Sequence, residues 1–188
     1  ECDPLRAGRF LCDAIGNRLS SIVGLSLNYN SLNSRIRPTR GRTISLSSDF
    51  AGLGGDQRYV RLRGRAQQFW NVGNSGFIFS VLAEGGTIIP LQERPGAGVD
   101  DILLTDRFFL GEPQFRGYAI RGVGPRILTQ TSQLDQFNRP IVDEDGNVQF
   151  FTERNQVRDD AIGGRNYYLG RAELEIPLGS GARELGLR

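Results

Sequence analysis

From Ile22 to Asn30 the chain alternates with period two. Val23, Leu25, Leu27 and Tyr29 fall on one side; Gly24, Ser26, Asn28 and Asn30 fall on the other. That is the pattern of a strand with one apolar face, and the first predicted strand covers 20–30. The alternation returns at 42–50, where Ile44, Leu46 and Phe50 oppose Thr43, Ser45, Ser47 and Asp49. It returns again at 59–68, where Val60, Leu62, Gly64 and Ala66 oppose Arg61, Arg63, Arg65 and Gln67. A fourth strand is predicted at 77–84, with Phe77, Phe79, Val81 and Ala83 on one face and the half-polar set Ile78, Ser80, Leu82 and Glu84 on the other. A fifth, at 166–177, sets Tyr168, Gly170, Ala172, Leu174 and Ile176 against Tyr167, Leu169, Arg171, Glu173 and Glu175. Gly179 to Gly181 turn the chain, and Leu185 to Arg188 read as the start of a sixth strand. Pro38, Gly41, the glycine-rich stretch 51–56 and the run 71–76 mark the other turns.

Residues 85–163 lie between the fourth and fifth strands, a length that marks a functional loop rather than a simple connection. The part from Thr129 to Arg158 is polar and charged, with Asp143 to Asn147 as a hairpin turn, and reads as an exposed excursion.

The predicted fold class is all-β, an antiparallel meander. Two architectures satisfy the pattern. In a soluble sandwich the apolar faces meet in a core and the charged faces meet water. In a transmembrane barrel the apolar faces meet lipid and the charged faces line a wet lumen. Three arginines on one strand face cannot sit in a dry core unpaired; they require water, counter-charges or nucleic acid. Short turns at one end and one very long loop at the other favour the barrel.

Composition sharpens this reading. The 188 residues suffice for one domain with a sizeable core, and hydrophobic residues make up 38%. No apolar run approaches the ~20 residues of a spanning helix, a test that strands pass unnoticed because their two faces average out. All 23 basic residues are arginine, there is no His or Met, and the formal charge of +2 demands no polyanionic partner. The missing Met predicts a processed start or a piece of something longer, and no stretch of these residues is expected to be a signal peptide. With no His, Ser-His and His-metal chemistry are absent. Glu173 and Glu175 are a possible carboxylate pair, but no sugar-binding aromatic cluster accompanies them, and an enzyme is not expected. Cys2 and Cys12 bracket a short stretch. A disulfide closing a small loop is favoured over two free thiols, and it implies an oxidising compartment.

Within the long loop, Arg116 stands between an aromatic and a glycine-aromatic pair, in the run Gln114-Phe115-Arg116-Gly117-Tyr118. Arg107-Phe108-Phe109-Leu110-Gly111 precedes it and Gly122-Val123-Gly124-Pro125-Arg126 follows. With Tyr29 to Asn33, Pro38 to Gly41, Asp49 to Asp56, Gly163 to Tyr168 and Ala172 to Pro177, this order of motifs resembles the family of outer-membrane assembly barrels typified by BamA. Tyr118 departs from the commoner Phe, and 127–159 resembles a lineage-specific insertion.

The resemblance implies five strands from the middle and later part of a barrel of roughly sixteen, with periplasmic POTRA domains and the remaining strands outside this segment. It implies a bacterial outer-membrane insertase without cofactors. Its partners would be nascent outer-membrane proteins, Bam-type accessory lipoproteins and the lipid bilayer, with no nucleic acid. The long extracellular loop would fold inward, anchored by Arg116, Gly117 and Tyr118, with Glu175 or Glu173 receiving the guanidinium. Arg61, Arg63, Arg65 and Arg171 would face the lumen. Related TamA-type or two-partner secretion barrels share the motif, and a passive anion-preferring pore would use the same arginine row. A plain surface arginine is the competing reading of Arg116.

Overall fold

The computed structural model describes residues 12–13, 15–73, 76–94, 100–130, 132–137, 139–153 and 157–177. Cys2, the turn at Gly179 to Gly181 and the sixth strand expected at Leu185 to Arg188 lie outside them. The chain divides into two units, residues 19–92 with 166–188 and residues 1–18 with 93–165.

The first unit is a five-stranded sheet. Its strands are β1 (Ile22–Asn30), β2 (Gly41–Ala51), β3 (Tyr59–Val72), β4 (Phe77–Pro90) and, after the long excursion, β7 (Asn166–Glu175). Their order is β1-β2-β3-β4-β7, and every neighbouring pair is antiparallel. The fold is all-β, and the sheet is open: among the described residues β1 and β7 are each paired along one edge.

The register carries the alternation across the whole sheet. Leu27 opposes Leu46, which opposes Gly64, then Gly85, then Tyr168. On the other face Asn28, Ser45, Arg65, Glu84 and Leu169 form the adjacent row. A slip of one residue at any pair would mix the two faces, so the register is tightly specified.

Exposure separates the two architectures. Leu25, Leu27, Leu46, Leu62 and Leu174, all on the apolar face, are exposed, with Leu27 at 62% and Leu46 at 53%. The buried residues of the strands lie on the opposite face: Ala51 of β2, Tyr59 of β3, Ile78, Ser80, Leu82 and Ile88 of β4 and Leu169 of β7. A sandwich buries its apolar face against a second sheet; this sheet presents that face outward. Trp70 stacks on Phe79 on the apolar face, with ring centroids 5.6 Å apart. Such aromatic pairs suit the boundary between hydrocarbon and water.

β4 runs to Pro90, six residues beyond the predicted end at 84. Gly85 and Gly86 do not break it, because Tyr168 and Tyr167 pair opposite them. The β1–β2 turn is fixed by Asn33, whose Oδ1 accepts from the backbone of Thr39 at 3.0 Å and of Arg40 at 3.1 Å. Gly41 closes that turn at φ +108°, where an added Cβ would lie 2.3 Å from the Ser31 carbonyl oxygen.

The second unit contains a short 3-10 turn (Leu104–Asp106) and two strands, β5 (Arg126–Gln130) and β6 (Val157–Ala161), paired antiparallel. Isolated bridges Ser132–Phe150 and Val142–Val148 continue the hairpin outward. The excursion is therefore a β-ribbon rather than irregular chain. The turn expected at Asp143 to Asn147 is present: the Asp143 carboxylate accepts from the backbone of Asp145 and Asn147. No helix among the described residues is long and apolar enough to cross a membrane.

Candidate functional site

Two groups of side chains carry the candidate chemistry, one on the sheet and one in the loop. On the sheet, the arginine row of β3 meets carboxylates supplied by its neighbours. Asp49 sits directly opposite Arg61 and Glu84 directly opposite Arg65. Asp49 Oδ2 lies 3.3 Å from Arg61 Nε and 3.1 Å from Arg63 Nη2. Glu84 Oε2 lies 3.0 Å from Arg65 Nη1, and its other oxygen accepts from the Tyr167 hydroxyl at 2.8 Å. Of the three ways to accommodate the row, counter-charge is the one the sheet provides. Arg63 and Arg65 remain about half exposed, so this face of the sheet stays polar, with three arginines against two carboxylates.

The remaining charged residues of this face are paired too. Arg171 Nε lies 3.4 Å from Glu173 Oε1 on the same strand. Glu175 is ion-paired and hydrogen-bonded to Arg37, from the β1–β2 turn. Arg37 was not singled out from the sequence. It lies 138 residues from Glu175, and a contact of that separation leaves no local signal.

The loop motif is a compact turn. Leu110 and Val123 pair at its root, with Val123 N donating to Leu110 O at 3.1 Å. Phe115 N donates to Gly111 O at 2.9 Å, and the rings of Phe115 and Tyr118 meet edge to face at 5.0 Å. Gly117 has φ +87°, a left-handed conformation that favours glycine. Gly111 is buried, and an added Cβ would lie 2.4 Å from the Ala119 carbonyl oxygen. Arg121 stacks over Phe109 at 4.6 Å. The Glu112–Pro113 peptide is cis. Arg116 itself is exposed at the outer end of the turn. The glycines and aromatics of the motif thus fold a tight turn that carries Arg116.

Sequence reasoning missed Arg107, whose side chain is 5% exposed. In sequence it reads only as the first residue of an aromatic run. Cys12 is disulfide-bonded; Cys2, the chain's other cysteine, lies outside the described residues. Among the described residues no group of His, Cys, Asp and Glu could hold a metal.

The chain is similar to proteins of bacterial and animal origin. It is 29% identical over 163 residues to the outer membrane protein assembly factor BamA of Neorickettsia risticii, covering 87% of this chain and 17% of that one. It is 30% identical over 169 residues to the sorting and assembly machinery component 50 homolog of Bos taurus, and 28% identical to that of Homo sapiens. Each of those alignments covers 87% of this chain and 27% of the relative. The chain thus spans between about a sixth and a quarter of the length of these proteins. The Omp85 superfamily domain matches residues 7–188, nearly the whole chain. An open antiparallel sheet with one exposed apolar face, one ion-paired face and a long intervening loop matches that result, and the chain belongs to the Omp85 superfamily.

Proposed function

We propose that this segment is part of a transmembrane β-barrel that folds and inserts other β-barrel proteins into a bacterial outer membrane, by a non-enzymatic route. One observation carries the reading. In a member of the Omp85 superfamily, five hydrogen-bonded strands keep an apolar face outward and an ion-paired face opposite, in continuous register. A closed barrel satisfies both, with every backbone group paired and the apolar face in lipid.

In this reading nascent outer-membrane proteins pair by strand addition at a lateral seam, where backbone hydrogen bonds require no particular client sequence. The strands described here serve the seam indirectly, by shaping the lumen and holding the long loop. Arg116 anchors that loop at an inward-facing carboxylate of β7, Glu175 or Glu173. A guanidinium fork matches a carboxylate at two points, a geometry that lysine does not reproduce. The names of the relatives, an assembly factor and a sorting and assembly component, support the assembly role. Pairing of Arg61 and Arg63 with Asp49 and of Arg65 with Glu84 offsets most of the positive charge of the row, which weighs against an anion-preferring pore.

The test is reconstitution of the full-length protein into liposomes with an unfolded outer-membrane barrel as client, followed by acquisition of protease resistance. The expected result is client folding well above that of empty liposomes, reduced by Arg116→Ala while the carrier barrel stays folded. Client folding no faster than with empty liposomes contradicts the proposal.

A further inference from the structure

The loop unit contains a second arginine assembly, distinct from the Arg116 turn. Arg107 is buried and uses all three guanidinium nitrogens. Nε and Nη2 both donate to Ile102 O at 3.2 Å, Nη1 donates to Ile162 O at 3.1 Å, and Nη2 lies 2.9 Å from Asp100 Oδ2. Ile102 and Asp100 precede the Arg116 turn in sequence, whereas Ile162 lies 55 residues after Arg107. One side chain therefore spans both limbs of the loop.

Neighbouring contacts extend the junction. Phe108 and Gly164 exchange two backbone hydrogen bonds of 2.9 Å. Gly163, just before Gly164, has φ +61°, and an added Cβ would lie 2.6 Å from Phe108 O. Arg165 Nε lies 3.4 Å from Asp100 Oδ1. Arg94 donates to the Asp100 carbonyl at 3.0 Å and pairs with Asp13 at 2.5 Å, bringing the 12–18 segment into the same network. Burial lowers the pKa of Arg107, opposed by the charge of Asp100. The guanidinium stays charged at neutral pH because its ordinary value is so high.

We propose that Arg107 is a positioning residue that clasps the long loop shut at its base, so that the Arg116 turn is held on a closed stem whether or not Arg116 is engaged. A loop anchored only at its tip would leave its two limbs free to part; a stem closed at the base fixes the direction in which the tip is presented. Lysine cannot replace the clasp, since one ammonium on a flexible stem does not reach two carbonyls and a carboxylate in a planar fork. The consequence for client assembly rests on the proposed assembly role; closure of the stem does not.

The experiment compares the full-length protein with Arg107→Leu, Arg107→Lys and Arg116→Ala, each in lipid bilayers. Hydrogen exchange is read at 102–110 and 162–165, with barrel folding checked by heat-modifiable migration and client folding measured in parallel. Arg107→Leu is expected to raise exchange in both limbs at least about tenfold in an intact barrel, with slower client folding. Arg107→Lys should restore only part of the protection, and Arg116→Ala should leave the base protected. Unchanged exchange in Arg107→Leu, full protection in Arg107→Lys, or equal opening in Arg116→Ala overturns the clasp. Should Arg107→Leu fail to fold, Asp100→Asn decides: faster exchange in both limbs supports the clasp, and unchanged exchange refutes it. Opened limbs with normal client folding would uphold the clasp and count against the assembly role of the loop.

Discussion

Arg37, in the turn between β1 and β2, is ion-paired with Glu175 near the end of β7, although β2, β3 and β4 lie between the two edge strands in the sheet order. The turn thus reaches the far edge strand, and Glu175, one of the two carboxylates proposed to receive the loop anchor, already has an arginine partner. Both side chains are more than a third exposed, so their stabilisation is small, on the order of 0–1 kcal/mol. Arg37→Ala is expected to leave global stability nearly unchanged and to raise hydrogen exchange at 33–40. The charge-swapped pair Arg37→Glu with Glu175→Arg should restore protection; failure to do so would show that the turn is held by its own contacts at Ser31, Asn33 and Ser34.

The apolar face yields a sharper contrast. Leu46→Arg places a charge among Leu27 and Gly64, its cross-strand neighbours, and is expected to cost about 2–4 kcal/mol if the site lies near the bilayer midplane. Ser47→Asn, one residue along on the opposite face, is expected to be nearly neutral. Denaturant titration in lipid vesicles measures both, and equal costs would contradict the assignment of faces.

The paired arginines make a prediction about ions. Replacing Asp49 by Asn and Glu84 by Gln together removes the counter-charges of Arg61, Arg63 and Arg65. Any conductance of the barrel should then shift towards anions, read as a change in reversal potential under a salt gradient. The shift should fade near 1 M salt, where screening acts within about 3 Å. An unaltered reversal potential at low salt would show that this row does not line the conducting path.

Gly41 and Gly170 should respond oppositely to alanine. At Gly41 the backbone has φ +108° and the new Cβ would meet the Ser31 carbonyl, whereas at Gly170 nothing lies within 4 Å. Gly41→Ala is expected to destabilise by about 1–3 kcal/mol, and Gly170→Ala to be neutral or slightly stabilising. Thermal unfolding in detergent micelles compares them directly.

Much of the sheet was legible because period-two alternation reports faces without any knowledge of pairing. The arginines at 61, 63 and 65 announced a need for counter-charge; that Asp49 and Glu84 supply it follows only once the register sets them opposite. β4 was cut short because paired glycines look like a break until Tyr167 and Tyr168 are seen alongside. β5 and β6 were missed because each is five residues long and their partner lies far along the chain. Arg107 and Arg37 were missed for a related reason: the acceptor that ties Arg107 to the far limb, Ile162, is 55 residues away, and Glu175 is 138 residues from Arg37, and no local pattern encodes such contacts. The glycines and aromatics around Arg116 could be read directly, since turn chemistry is local.

The central claim is that the alternating strands cross a bilayer with their apolar face in lipid. Its most direct measurement is a nitroxide scan of β2 in the full-length protein, with Cys2 and Cys12 replaced by serine and single cysteines introduced at 43–50. In liposomes, labels at positions 44, 46 and 50 should collide with oxygen and be shielded from a water-soluble nickel chelate. Labels at 43, 45, 47 and 49 should show the reverse. Accessibility without that two-residue alternation, or with every position open to the nickel chelate, would contradict the account.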